Sequence, residues 1–352
     1  AAGSSAREVL VEILDSAGRR FPITSDEQGR ITEIRGPHPE QDTIVTWVRY
    51  VYDRQGDLIE AHDALGQVAR WAYDDHLLVR ETDRVGLSFH FEWDRATRRC
   101  VRTWGDGGIH DHRLAFEDAK TTVTNALGFC VVAHHDDAGL VVRTIDALGH
   151  ASSLERNEFH EVVASVDALG QRTRITRDAR GNPVTIVAPD GTTQTLIWDA
   201  RDRLQRAVDV LGNWWQWRWD ERGRLLEQVG PGVHTRMLWQ GPRLAGQVGS
   251  EGLLRRFEYD AHANPNAIAI GERVITRTQF DRLGRIIGVE QVGATQRLRR
   301  DLLGRVVEHH LPDGNVRQLD YDGEGQLVRE RDRLGEVLIE RAGMGRIVAQ
   351  HR

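Results

Sequence analysis

Little in this chain can hold it together covalently: among 352 residues, cysteine occurs only as Cys100 and Cys130. Two thiols do not make the disulfide framework of a small secreted domain, so stability must come from buried surface and hydrogen bonds. Lysine is scarcer still, since of 47 basic residues only Lys120 is not arginine, a bias of codon usage more than of chemistry. The net charge is −6, and both signs are scattered instead of gathered in runs, which argues against a nucleic-acid footprint. No apolar run reaches the roughly 18 residues of a membrane-spanning helix, and no basic stretch leads into an apolar core with a cleavage site. Neither a transmembrane helix nor a signal peptide is predicted. Phosphate-cradling Gly-x-x-x-x-Gly-Lys loops, Gly-x-Ser-x-Gly elbows and His-Glu-x-x-His metal motifs are missing as well. No window shows the 3.6-residue apolar spacing of an amphipathic helix. No enzyme is expected in this segment.

Glycine is what the chain has in excess, at 35 residues or about 10% against ~7% in ordinary proteins, and its placing is regular. Asp136, Asn157, Asp178, Asp199 and Asp220 follow one another at intervals of 21 residues, with Asp146, Asp167 and Asp209 roughly midway. Most open an Asp-x-x-Gly unit, as at Asp53 to Gly56, Asp146 to Gly149, Asp167 to Gly170, Asp178 to Gly181, Asp220 to Gly223, Asp281 to Gly284 and Asp322 to Gly325. Asp starts a turn by accepting a hydrogen bond from the N–H two residues on, and Gly three positions later supplies the positive φ that other residues resist. Between turns lie about six or seven residues rich in Val, Thr, Ile, Arg and Trp, one strand of average length. The unit is therefore a β-hairpin of about 21 residues, repeated.

The array occupies residues 1–352 as a single architecture: divergent first strands over 1–50, regular repeats over 51–223, an irregular stretch over 224–259 and regular repeats again over 260–352. Ala1 to Ala6 are featureless, and a strand is expected at once over Val9 to Leu14. From Asp94 to Lys120 the pattern loosens, with Gly105-Asp106-Gly107-Gly108 compressing the turn. The irregular stretch contains Gly230-Pro231-Gly232, Gly241-Pro242 and Gly249-Ser250 but no Asp-x-x-Gly, and reads as hairpins with other turns or an inserted loop. The sequence stops in mid-strand rhythm, which is expected of a piece of a longer polypeptide because a stacked array needs protected ends.

An aromatic residue precedes the turn Asp at Tyr52, Tyr73, Trp93, Trp198, Trp219, Tyr259, Phe280 and Tyr321, and several units continue as Asp-x-x-Gly-Arg-aliphatic, as in Trp219-Asp220-Glu221-Arg222-Gly223-Arg224-Leu225. A second turn type, Asp-Ala-Leu-Gly, alternates with these at Asp63, Asp146 and Asp167. The chain resembles the Rhs, or YD-repeat, family over nearly its whole length. The resemblance implies an all-β array of hairpins curling into part of a hollow cocoon or barrel-like shell. It implies a structural role, enclosing a C-terminal toxin domain for delivery in interbacterial competition, commonly by type VI secretion. The partners implied are the chain's own toxin domain as cargo, a secretion spike protein and a chaperone. Export would follow a stay in the bacterial cytoplasm, and no cofactor is implied. Family effectors self-cleave at an Asp-Pro motif after the repeats; no Asp-Pro dipeptide occurs here, so neither cleavage nor toxicity can be assigned to these residues. Mixed polar residues on both sides of strands such as Gln171-Arg172-Thr173-Arg174 fit a sheet wetted on both faces.

The remaining candidates are weaker. Alternation places Trp215, Trp217 and Trp219 on one face of a strand and Trp214 on the other, a cluster that could touch cargo, carbohydrate or only neighbouring strands. His110-Asp111-His112 and His134-His135 hold metal-ligand residue types, but a site needs three or four converging ligands, and none is expected. Cys100 is expected to be an idle thiol. Two rivals remain: an extracellular adhesion or carbohydrate-binding repeat module, and a hydrolase hidden in 224–259.

Overall fold

The computed structural model describes residues 9–351, so the featureless Ala1 to Ala6 lie outside the described residues. Among these, 33 strands and two 3-10 turns, Asp106–Gly108 and Gly343–Gly345, make up the regular structure. The fold is all-β and antiparallel. Among the described residues two compact units are formed, one from residues 9–109 with 257–351, the other from residues 110–256. In the first, each strand from Glu12–Leu14 to Arg99–Gly105 pairs with the next, as does each from Pro265–Ile270 to Ile347–His351. In the second the same rule holds from Ile109–Glu117 to Leu254–Tyr259.

The turns show why the sequence folds this way. At Asp178 the N–H groups of Arg180 and Asn182 donate to Oδ1 at 2.9 and 3.0 Å, and the Gly181 N–H donates to the Asp178 carbonyl at 3.1 Å. One side chain thus satisfies the backbone of the whole turn, which Gly181 completes at a φ of +87°. The first strand is shorter than expected: Glu12–Leu14 pairs, while Val9 to Val11 run exposed beside it. Residues 224–259 contain no inserted loop. They fold as four strands, Leu225–Gly230, Val233–Gln240, Arg243–Val248 and Leu254–Tyr259. Gly232 and Gly241, at φ of +69° and +59°, close tighter turns there.

The core is thin. Only Ile23, Leu77 and a few alanines, among them Ala61, Ala164 and Ala207, are buried apolar residues among those described, and no large side chain is fully enclosed. With no second layer to press against, large residues cover small cross-strand neighbours instead. Ala207 lies opposite Trp215, and a Cβ on Gly230 would run into the Trp215 indole. Elsewhere the faces carry cross-strand ion pairs such as Arg299–Glu308 at 2.6 Å and Arg331–Glu336 at 2.9 Å, each worth up to about 1 kcal/mol.

Candidate functional site

The hairpin array has two edges, and they differ in chemistry. One carries the turns at Asp178, Asp199, Asp220, Asp281 and Asp322, each preceded by an aromatic or an arginine; the other carries the Asp-Ala-Leu-Gly turns and their variants. On the aromatic edge strand pairing slips by one residue directly before the turn, between Ile197 and Trp198, Arg218 and Trp219, and Asp320 and Tyr321. A bulge of this kind re-aims the following side chain. Its polar atom then donates to a carbonyl at the start of an earlier strand: Trp198 Nε1 to Pro183 at 2.7 Å, Trp219 Nε1 to Leu204 at 2.9 Å, Trp239 Nε1 to Leu225 at 2.8 Å and Tyr321 Oη to Val306 at 2.8 Å. Where an arginine replaces the aromatic, its guanidinium makes the same bond, as Arg177 does to Val162 at 3.1 Å and Arg300 to Ile286 at 2.8 Å.

A second arginine, four residues after the turn Asp, ties one repeat to the next. Arg203 Nε reaches Asp199 Oδ2 at 2.6 Å, its Nη1 donates to the Asp220 carbonyl at 2.6 Å, and its guanidinium lies 5.9 Å from the centre of the Trp219 ring. Arg305 repeats the arrangement with Asp301 at 2.7 Å, the Asp322 carbonyl at 3.0 Å and the Tyr321 ring at 5.1 Å. The Arg203 side chain, helped by the backbone N–H groups of Arg203 and Arg201, lowers the Asp199 pKa to about 2. At Asp220 the same donors, led by the Arg224 N–H, act in the same direction. The recurrent aromatic and Asp of the sequence are therefore two parts of a three-part ladder. The third, the arginine, was legible as Asp-x-x-Gly-Arg but carried no role until its partner one repeat on was visible.

In the first unit the two edges meet. Arg282 donates from its N–H to the Pro39 carbonyl at 3.1 Å and from Nη2 to Asp42 at 2.5 Å. The Arg84 N–H donates to Glu324 Oε1 at 2.8 Å, and Arg84 Nη1 lies 3.5 Å from the same oxygen. In both ion pairs the partners are 240 residues apart. Approach is close enough that a Cβ on Gly323 would lie 2.6 Å from the Arg84 carbonyl oxygen, and one on Gly343 would lie 2.6 Å from Ile109. The seam joins the leucine edge of the early strands to the aromatic edge of the late ones.

The other sequence candidates divide. Trp217 and Trp219 border a shallow cavity of about 300 Å³ with Asp199 and Arg203, so Trp219 belongs to the ladder. Trp215 covers Ala207 and Gly230. Trp214 alone of the four is exposed, with Arg206 5.9 Å from its ring centre. His110 and His112 stack on one another at 6.1 Å, and no group of three metal-ligating side chains forms among the described residues. Cys100 is half-buried, which pushes its thiol pKa up.

The RHS Repeat family model matches residues 156–193 and 300–337. The chain carries Rhs repeats. A stretch of the Rhs chain is 33% identical over 146 residues to the toxin protein Tse5 of Pseudomonas aeruginosa, an alignment spanning 35% of this chain and 11% of that protein. Among solved structures, that of TcdB2-TccC3 without its hypervariable C-terminal region matches at a TM-score of 0.69 and 15% identity, over 94% of this chain and 20% of that one. TcdB2-TccC3-Cdc42 matches at a TM-score of 0.66 and 15% identity, again over 94% of this chain and 20% of that one. The chain thus has the fold of these solved segments while spanning a small part of each relative.

Proposed function

We propose that this Rhs chain is wall: part of a hollow shell that encloses and protects a C-terminal toxin domain of its parent polypeptide, delivered in competition between bacteria. The observation that carries the reading is a sheet of sequential hairpins with almost no buried core among the described residues. Such a sheet stabilises itself along its edges, through the Asp–Arg–aromatic ladder, and leaves both faces wettable. A polar inner surface tolerates a partly unfolded passenger, while a continuous hydrogen-bonded wall excludes proteases. Partial similarity to a toxin protein, Tse5, supports a toxin as the cargo, and export by a type VI machine is part of the same reading. On this reading catalysis belongs to the cargo and not to residues 1–352. A spike protein and a chaperone are the expected partners, and export starts from the bacterial cytoplasm without a signal peptide in this segment.

The test is limited proteolysis of the full natural polypeptide with a broad protease, followed by mass spectrometry. Survival of a separate C-terminal domain inside a resistant repeat body is the expected result. Rapid loss of everything after the repeats would sink the container and favour surface binding. The adhesion alternative calls for contiguous exposed tryptophans, and of the four in the cluster only Trp214 is exposed.

A further inference from the structure

The strand register of the second unit sorts its charges onto one face of the sheet. Residues paired directly across antiparallel strands share a face. Arg143 pairs with Ser153, Arg174 with Ala164, Arg206 with Gln216 and Arg236 with Glu227, and the register between these pairs puts all of these arginines on the same side. They recur at every third strand from Val141–Ile145 to Val233–Gln240, about 14 Å apart across the sheet. Ahead of the bulges the opposite face of these strands is uncharged, with Thr144, Ser165, Gln194 and Trp215 among its residues. The arginine face is also the more exposed: in Thr193–Trp198 and Trp214–Trp219 each residue on it is exposed and each one opposite is half-buried. The acids of this face in these strands are already taken, Glu155 by Arg172 and Glu227 by Arg218 at 3.4 Å and His234 at 2.8 Å. Among the described residues Arg143, Arg174, Arg206 and Arg236 are left exposed and without an ion pair. In the first unit arginines on the strand faces are matched, Arg70 with Glu60 at 3.2 Å, Arg299 with Glu308 at 2.6 Å and Arg331 with Glu336 at 2.9 Å.

We propose that the arginine face of the second unit is a docking surface for an anionic phospholipid membrane. The inference concerns the exposed face and not the cargo, so it goes beyond the wall reading and can fail without it. Three features identify the partner. The first is sign: uncompensated guanidiniums gather on one face of a chain whose net charge is −6. The second is spacing. At about 14 Å, three strand widths, neighbouring arginines do not converge on one small anion, whereas a fluid array of headgroups brings a phosphate under each of them. A folded acidic partner would have to match that spacing with fixed carboxylates. The third is what lies between the arginines. Ile197, Trp214 and Leu238 share this face and are 50%, 42% and 45% exposed, and the Arg206 guanidinium sits 5.9 Å from the Trp214 ring centre. An indole with one apolar and one wet end belongs at a membrane interface, while a nucleic-acid backbone offers nothing to Ile197 or Leu238. Each arginine held near an anionic surface strengthens binding about fivefold, so the set is worth on the order of several hundredfold.

Vesicle cosedimentation tests the surface. This chain should partition onto vesicles of equal parts phosphatidylglycerol and phosphatidylcholine, ignore vesicles of phosphatidylcholine alone, and come off the mixed vesicles as salt is raised. Replacing Arg143, Arg174, Arg206 and Arg236 together by Gln should lower the partition coefficient on the order of a hundredfold or more. A control that replaces Arg70, Arg299, Arg329 and Arg331 by Gln removes the same charge from ion pairs of the first unit, and should change it less than about threefold. Thermal midpoints confirm that both variants fold. Should the fourfold variant fail to do so, Arg174→Gln alone carries the test, with an expected loss of about fivefold. Absence of binding to the mixed vesicles, or equal binding to the neutral ones, would overturn the proposal. Equal losses in the two fourfold variants would reduce it to net charge and remove the face. Capture by polyglutamate with the mixed vesicles ignored would overturn the assigned partner in favour of an acidic polypeptide.

Discussion

The two edges of the sheet are built on one turn and use it differently. On the aromatic edge the turn Asp is half of an ion pair, the next repeat's aromatic accepts the same arginine on its face, and a bulge aims that ring at a backbone carbonyl. On the leucine edge of the second unit Asp167 and Asp209 hold their own turns, and the side chains at the tips of those turns, Leu169 and Leu211, point to solvent. One edge is where the repeat stabilises itself, and the other is what it presents. The difference teaches that the shared Asp-x-x-Gly is a backbone solution, while the residues flanking it decide what the edge does.

The sharpest way to break the comparison is at the glycines. Gly181→Val places a branched side chain at a φ of +87° and against the Glu161 carboxylate, and should cost about 3 kcal/mol, seen as a lowered thermal midpoint. Gly223→Val meets the same backbone strain at +83° with open space around it, and should cost about 1–2 kcal/mol. Equal losses would show that strain alone governs the turns. A smaller effect is expected from Trp219→Phe, which keeps the ring and removes the Nε1 bond to Leu204, at about 1 kcal/mol. Phe280 in the same position shows that the ring without its donor is tolerated.

Acid sharpens the comparison further. The Asp199 pKa is depressed from 3.8 to about 2 in the fold, so its contribution is complete above the unfolded value and is lost as pH falls from 3.8 towards 2. Asp199→Asn should flatten the acid limb of a stability curve in that window and leave the shape above pH 5 unchanged; a limb of unaltered slope would remove Asp199 from the ladder. Least is expected from Leu211→Ser, where the side chain is 83% exposed. Its unfolding free energy should stay within about 0.5 kcal/mol of that of the parent chain, and a larger loss would mean the leucine edge is packed after all.

The sequence carried the hairpin array because its signal is periodic and local: Asp and Gly are demanded by single turns, and a 21-residue rhythm survives even where Asn157 replaces Asp. The aromatic before the turn is legible as a repeated position, yet its hydrogen bond to an earlier carbonyl is made possible by the bulge, which no residue type announces. Arg177 and Arg300, doing the same work, were invisible for the same reason. The seam was not legible either. Asp42 and Arg282 are ordinary surface charges until the fold brings them together, and nothing in a local pattern reports an offset so long. Leucine at an exposed tip was in plain view, but a turn motif gives no hint of exposure.

The pairing of strands with their sequence neighbours within each unit has a bearing on assembly. A hairpin needs only its own loop closed, an entropic cost that does not grow as the array lengthens, so each repeat can lock onto the last as soon as it leaves the ribosome. Growth is a zipper with a direction, running from the first strand to the last, and the contacts across the seam can form only at its end. An interrupted chain would therefore be sound up to its last complete hairpin, and a misplaced repeat would remain a local fault instead of unravelling what came before it.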